Sequence, residues 1–465
     1  MSFSPARGGK MTSDYEEEFD ELKKEYKKKA EEEGYDQTAS LIDTTDLPVK
    51  NSLKALVQEQ NYEGEEVFNE FFNEVENLKG EVFGSLQKVY DEYNKYYHIE
   101  DYRKIDLLLA TCLSSNTPDK NIWLMFVGAS GVGKSMMTNP INQVEIEKED
   151  IAHLVSDITT NTIVSGQGGK ETDLAPKLDG RIMYVPDMST VVGKRAEDQR
   201  EIFSQLRNLY DGKAKKETGS HGENPEYEVD VTFIGNVTPA IFSKQLIHQD
   251  MGTRFLYYEI NDFNKEKVFD KIWNGAEKSE EEKSKDIAKV IKSFLVESRK
   301  RDVNDVEDSI KEEIETVADW TANMRASGEF DRSNEELKSS VVPEEPTRIL
   351  KQFKKVYENL IRLQEDYETK RALSIIRKIG ASSIDPDKRR IFIELDSSDT
   401  GLEISELMDR TDLGRKAIKR RLLEMTNVGV ISNDTDYDFD SKRVERQNWK
   451  VCEEFKGLSK DFVPE

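Results

Sequence analysis

The spacing of apolar and polar positions divides the chain into stretches of different character. Residues 1–50 are polar and highly charged, with runs such as Glu16-Glu17-Glu18 and Lys27-Lys28-Lys29, and predict a disordered tail containing a solvated helix. In residues 51–104 apolar positions recur at helical spacing, as in Val67, Phe71, Val75 and Leu78, which predicts a small helical segment. From Ile105 to about Ile260, short apolar runs alternate with helical stretches, the pattern of an α/β core. The continuous run Ile122–Val127 predicts a buried parallel strand, and Ile182–Val185, Val229–Ile234 and Phe255–Ile260 predict three more. Glu197–Tyr210 predicts a helix between them, and residues 262–380 read as helical and charged, with no strand signal. The aromatics Phe68, Phe71, Phe72, Trp320 and Tyr357 sit at helical spacings and predict core positions.

Residues 385–455 form a separate pattern. Arg389–Leu395 predicts a helix, Leu402–Ile404 a short extended piece, and Ser405 an N-cap for a helix over Glu406–Arg410. Thr411–Gly414 is a turn, and Arg415–Met425 a third helix with Ile418, Leu422 and Leu423 on its inner side. Val430–Ser432 to Val444, with an acidic tip over Asp434–Asp440, completes the unit as a hairpin wing, so the unit reads as a winged helix.

Composition narrows the picture. At 465 residues the chain has room for about two to four domains. Apolar residues make up 36% and charged residues 35%, which allows a sizeable core beneath a heavily charged surface. The net charge of −25 argues against nucleic-acid binding over the whole surface and leaves it to local basic patches. Cys112 and Cys452 lie far apart, suggest neither a disulfide framework nor a zinc site, and fit a reducing cytoplasm. His153, His221 and His248 show no ligand spacing. No apolar run reaches the length of about 18 residues that a membrane span needs, so the expectation is a soluble, cytoplasmic protein without a membrane partner.

The candidate chemistry follows the first strand. Gly128-Ala-Ser-Gly-Val-Gly-Lys-Ser135 fits G-x-x-x-x-G-K-[ST], the phosphate-binding loop (P-loop) of nucleoside triphosphatases. In such a loop Gly128, Gly131, Val132 and Gly133 turn backbone N–H groups toward the β- and γ-phosphates of ATP. Lys134 adds a point charge to those phosphates, and the Ser135 hydroxyl ligates Mg²⁺. A second carboxylate holds the Mg²⁺ through water, at the end of a strand beside the P-loop strand; Arg181–Asp187 supplies the strand and Asp187 the carboxylate. Met188 and Ser189 follow Asp187 where many ATPases carry a water-activating Glu, so the general base is unassigned. Asn236, near the end of the strand at Val231, is the candidate to orient the attacking water. Arg254, just before the last strand, is the candidate finger for a neighbouring subunit's γ-phosphate.

These elements in this order resemble AAA+ ATPases. The closer likeness is to phage- and mobile-element-encoded ATPases that share a lid and winged helix with minichromosome-maintenance helicases. The segments that carry it are Ile105–Ala110, Thr162–Gly166, Leu178–Gly180, Asp187–Thr190, Leu206–Gly212, Gly252–Phe255 and Glu345–Ile349. The resemblance covers roughly residues 100–450. It implies an AAA+ P-loop ATPase core at 105–265, a helical lid at 266–383 and a winged helix at 384–455, with a helical region at 51–104 and tails at 1–50 and 456–465. It also implies that Asp187 is the Walker B Asp, Asn236 the sensor 1 residue, Arg254 the arginine finger and Arg348 a sensor 2 Arg that closes the lid over nucleotide. Pro140, six residues beyond Lys134, departs from the pattern and predicts a kinked or short helix after the loop.

Between Asp187 and Val229 a Gly-flanked basic segment contains Lys213, Lys215 and Lys216, in the place where hexameric helicases carry a hairpin that grips the DNA backbone. On the third helix of the C-terminal unit, Arg415, Lys416, Lys419 and Arg420 leave a basic face suited to a major groove, which the acidic wing opposes. The expectation is a DNA-associated, homo-oligomeric ATPase, with a hexamer as one option, acting as a replication-type helicase or translocase. The alternatives are an ATP-switched DNA-binding regulator and a protein-remodelling ATPase that docks through its winged helix.

Overall fold

The computed structural model describes residues 11–45, 63–83, 85–115, 117, 121–164, 173–215, 226–243, 254–274, 278–303, 305–331, 337–338, 340–438 and 443–462. Lys216, His221, His248, Gly252, Thr253 and the hairpin tip at 439–442 lie outside them. The chain divides into two compact units, residues 1–92 and 93–465.

The first unit contains α1 (Met11–Glu32), α2 (Asp36–Thr44), α3 (Glu65–Phe83) and most of α4 (Leu86–Tyr96), which runs into the second. Residues 11–45 are therefore not a tail. Phe19 of α1 and Ile42 of α2 are buried against Phe68, Phe71, Phe72 and Val75 of α3. The stripe Phe19, Leu22, Tyr26 and Ala30 follows helical spacing, but the charges around it dilute the signal in any composition window.

In the second unit α5 (Arg103–Ser114) precedes β1 (Trp123–Val127). After β1 come α6 (Lys134–Thr138), the hairpin β2 (Glu145–Ile146) and β3 (Glu149–Asp150), then β4 (Ala152–Leu154), α7 (Ala175–Leu178) and β5 (Arg181–Val185). α8 (Ser189–Val192) and α9 (Ala196–Tyr210) lead to the hairpin β6 (Lys213–Lys215) and β7 (Glu226–Glu228), and to β8 (Val231–Val237) and β9 (Leu256–Glu259). The five longer-range strands form one parallel sheet in the order β4-β5-β8-β1-β9.

All of β1 and β8 is buried, as continuous apolar runs in a sheet covered on both faces require. On one face Trp123 stacks on Phe233 at 5.2 Å and meets Phe255 at 5.2 Å, with Ile202, Phe203, Leu206 and Leu209 of α9 in the same core. The Trp123 indole N–H donates to Val231 O at 2.7 Å, so its one polar atom is satisfied. On the other face lie α5 and α6.

The order corrects one expectation: β5 is not beside β1, because β8 lies between them. From β1 the chain moves toward β4, and from β8 it crosses over β1 to β9. Neighbouring strands whose connections leave in opposite directions open a crevice at their carboxyl ends, the topological switch point where α/β sheets bind ligands. Gly128 begins there: its N–H donates to Val237 O at 3.2 Å.

The remaining helices are α10 (Lys265–Asn274), α11 (Glu280–Ser298), α12 (Asp308–Arg325), α13 (Thr347–Ile361) and α14 (Thr369–Ser382). Two of them pack on the core directly, α13 against α5 and α14 against β9. The Ser383 and Ser382 hydroxyls accept the outward N–H groups of Tyr257 and Glu259 at 3.4 and 3.1 Å. Charges pin α14 further: fully buried Asp106 pairs with Arg371 at 2.6 Å and accepts from Tyr367, and Lys378 pairs with Asp101 at 2.8 Å.

The C-terminal part comprises α15 (Pro386–Asp396), α16 (Ile404–Thr411), α17 (Arg415–Asn427) and the hairpin β10 (Ile431–Asp438) with β11 (Arg443–Val451). Leu402 adds a bridge to Trp449 of β11, giving three helices and a three-stranded ribbon in the expected order. α16 begins at Ile404, so Ser405 lies inside it and does not cap it; Glu406 reaches back to the Glu403 N–H at 2.8 Å. Leu423 is half-buried, while Ile418 and Leu422 are fully inside. A buried ion pair, Lys388–Glu424 at 3.3 Å with side chains 2% and 1% exposed, joins α15 to α17. Lys388 also donates to Met324 O and Ala326 O, the open carbonyls at the α12 C-terminus, and Glu424 accepts from Gly328 N–H.

Candidate phosphate-binding site

The loop Gly128–Ser135 needs its glycines for different reasons. Gly131 and Gly133 have φ of +86° and +88°, the left-handed region that costs other residues strain. Gly128 has ordinary backbone angles but no room: a Cβ there would lie 2.9 Å from Val132 Cγ2. The Lys134 ammonium folds back over the loop and donates to Gly128 O at 2.6 Å and Ala129 O at 2.8 Å. Burial holds its pKa below the ordinary lysine value, and the charge of Asp187 opposes that shift. Lys134 and Asp187 therefore sense each other across the crevice although their strands are not adjacent.

Asp187 is exposed two residues past the end of β5, and its Oδ1 accepts from Ser189 N–H at 2.8 Å. Ser135 is exposed on the loop side. An exposed hydroxyl and an exposed carboxylate are of the donor type that suits a hard, oxygen-liganded cation such as Mg²⁺, which would be bound mainly through water and phosphate. The helix after the loop is five residues long and passes into a 3₁₀ turn, Asn139–Gln143, at Pro140. So short a helix contributes little dipole, and a phosphate bound there would be held by loop N–H groups and Lys134.

Asn236 does not lie open to the crevice. It is 1% exposed, and its Nδ2 donates to Thr138 Oγ1 of α6 at 2.8 Å. Its backbone oxygen accepts from Met188 N–H at 2.8 Å. Its Oδ1 is buried with no hydrogen-bond partner, a state that costs about 1–3 kcal/mol. Tyr184 closes the cluster, its hydroxyl 2.9 Å from Thr138 Oγ1 and donating to Asn139 Oδ1 at 2.6 Å, and burial pushes that phenol up to about 12.

Arg254 and Arg348 lie elsewhere. Arg254 precedes β9 at the amino-terminal edge of the sheet, opposite the loop, where it pairs with Asp211 at 2.9 Å and stacks over Tyr210. Arg348, exposed in the first turn of α13, acts on the same Tyr210, and Gln352 one turn later donates to the Tyr210 hydroxyl and to Arg254 O. The structure thus brings Lys134, Ser135, Asp187 and Asn236 to one end of the sheet, and Arg254 and Arg348 together to the other.

A cavity of about 150 Å³ adjoins Gly131, Val132 and Gly133. That is smaller than the roughly 300–1,000 Å³ of a whole-ligand pocket and suits one moiety. One wall is Tyr93, Tyr96 and Tyr97, whose hydroxyls donate to Met137 O, Asp286 and Glu280 at 2.6, 2.8 and 2.9 Å. The opposite wall is Val268, Lys271 and Ile272 of α10, a helix with no buried residue. The sequence reading passed over this wall and Thr138. The Tyr93–Tyr97 aromatic cluster just before the core, and a Thr one helical turn after Lys134, are the signals that mark them.

Of the basic residues, Lys213 and Lys215 stand in β6 directly opposite Glu228 and Glu226 of β7, so their charge is matched across the hairpin. Arg415, Lys416 and Lys419 are exposed on the first half of α17. Arg420 is half-buried, with its guanidinium 4.6 Å over the Phe330 ring. It is therefore a packing residue and not part of the open basic face.

The fold and loop define an α/β protein built on a five-stranded parallel sheet. A comparison with protein-family models finds no match for the chain, and a comparison with curated protein sequences finds none either. Among the described residues no helix is long and apolar enough to cross a membrane.

Proposed function

We propose that the protein binds MgATP and hydrolyses it as an AAA+-type ATPase acting on DNA in an oligomer, in the manner of a replication-type helicase or translocase. The observation that carries the reading is the loop: left-handed Gly131 and Gly133 at the switch point of a parallel sheet, with the Lys134 ammonium folded back over it. Lys134 exchanges its two loop carbonyls for β- and γ-phosphate oxygens, and Ser135 and Asp187 hold the Mg²⁺, which neutralises phosphate charge. The nucleoside half occupies the cavity between the tyrosine wall and α10. Arg254 lies too far round the sheet to serve its own loop and, once released from Asp187, serves a neighbour's. Arg415, Lys416 and Lys419 meet DNA phosphate.

A second reading, an ATP-switched DNA-binding regulator, has its own support. No Glu follows Asp187, and Asn236 is held by Thr138 away from the crevice. ATP turnover of wild type, Lys134→Ala and Arg254→Ala, with and without single- and double-stranded DNA, separates the two. A motor's turnover rises with DNA and falls in both variants. A switch binds ATP and turns over slowly whether or not DNA is present. A strict monomer with and without a slowly hydrolysed ATP analogue sinks the oligomer.

A further inference from the structure

We infer that Thr138 is a positioning residue that couples the phosphate loop to the Asp187 turn through Asn236. The inference rests on the nucleotide reading and goes beyond it, because it assigns a role to a side chain that touches neither phosphate nor metal.

Thr138 lies one helical turn beyond Lys134 and is fully buried. Its Oγ1 has three partners at hydrogen-bond distance: Lys134 O at 3.0 Å, the Tyr184 hydroxyl at 2.9 Å and Asn236 Nδ2 at 2.8 Å. One hydroxyl offers one proton, and Tyr184 gives its own to Asn139 Oδ1, so Thr138 accepts from Asn236 Nδ2 and donates either to Lys134 O or to the Tyr184 hydroxyl. Asn236 then continues the path through its backbone oxygen to the N–H of Met188, the residue after Asp187. Met188 leads into the Ser189 N–H that holds Asp187 Oδ1. A displacement of Lys134 as it takes up phosphate therefore moves Thr138, and Thr138 moves both the Asn236 amide and the turn that presents Asp187. Asn236 Oδ1 is buried without a hydrogen-bond partner, so a rotation of the amide out of its bond to Thr138 costs that oxygen nothing and lets it take a water as partner.

Pro140 makes Thr138 the right place for such a contact. The helix ends at Thr138, so its movement is not diluted along a longer rod.

The test compares Thr138→Val, which keeps shape and removes the hydroxyl, with Thr138→Ser, which keeps the hydroxyl. Affinity for ATP is measured by calorimetry, and hydrolysis in single turnover with enzyme in excess, so that a slow reaction is still read. We expect Thr138→Val to bind ATP within about twofold of wild type while its single-turnover rate falls about ten- to hundredfold. Thr138→Ser recovers most of the rate. Equal losses of affinity and rate, an unchanged rate, or a Thr138→Ser as slow as Thr138→Val each overturns the inference. So does a wild type that binds ATP and never hydrolyses it, although that result leaves nucleotide binding standing. Lys134→Ala reports on the underlying reading: if it binds ATP as wild type does, the nucleotide site itself falls.

Discussion

Gly128 and Gly133 lie five positions apart, and the structure makes them fail differently. At Gly133 nothing lies within 4 Å of an added Cβ, and the whole cost is the left-handed backbone at φ +88°. For an L residue that costs about 1–2 kcal/mol, or roughly a 5- to 30-fold shift away from the closed loop. At Gly128 the backbone is ordinary, but the Cβ meets Val132 Cγ2 at 2.9 Å and Ile260 O at 3.5 Å. Overpacking of that kind costs about 1–3 kcal/mol. Gly128→Ala and Gly133→Ala should therefore weaken ATP binding to a similar extent, yet respond oppositely to a second change. Val132→Ala removes the atom Gly128→Ala strikes and restores most of the loss, but it does nothing for Gly133→Ala. Calorimetric affinity for ATP reads the effect, and thermal unfolding without nucleotide should rank the variants in the same order. If Val132→Ala rescues both glycine variants, or neither, the division between a steric and a conformational requirement is wrong.

Other outcomes follow from buried charge and from the basic face. Glu424→Ala leaves the Lys388 ammonium buried without its carboxylate and should lower stability in urea by about 3–5 kcal/mol, whereas Lys388→Met with Glu424→Leu should cost less, because only the neutral Met324 O, Ala326 O and Gly328 N–H lose partners and Arg421 keeps Asp385. The phenols of Tyr184 and Tyr257 are both raised to about 12, chiefly by burial, so the fold favours their neutral forms. Their contribution is complete below the ordinary value near 10 and is lost as pH rises through 12; circular dichroism should fall across that window together with the appearance of tyrosinate absorbance. Arg415→Ala should reduce the salt slope of DNA binding by about one phosphate contact, while Arg420→Ala should leave the slope unchanged and cost about 0.5–1 kcal/mol of stability at Phe330.

The elements that announced themselves in the sequence are those whose physics is local. Ile122–Val127 is apolar without interruption because both faces of β1 are covered, and Gly131 and Gly133 after it stand where left-handed angles are needed. Pro140 shortened α6 for the reason any proline does. What stayed hidden depends on partners far along the chain. α1 is one apolar stripe among charges, and only α3 shows what covers it. β4 is three residues long, too short to leave a pattern. That β8 separates β5 from β1 is a matter of crossing order, which no local spacing encodes. Arg420 looked like its basic neighbours until Phe330, ninety positions earlier, proved to lie beneath it.

The serines at the end of α14 have a consequence for self-assembly. Parallel sheets end in edges, and an open edge invites a strand from another chain. Here the Ser382 and Ser383 hydroxyls occupy the outward donors of β9, and the opposite edge, β4, is only three residues long. Neither margin offers a row of free backbone groups long enough to template a further strand. The five-stranded sheet is thereby protected from growing into a fibre through its edges even when the protein is concentrated.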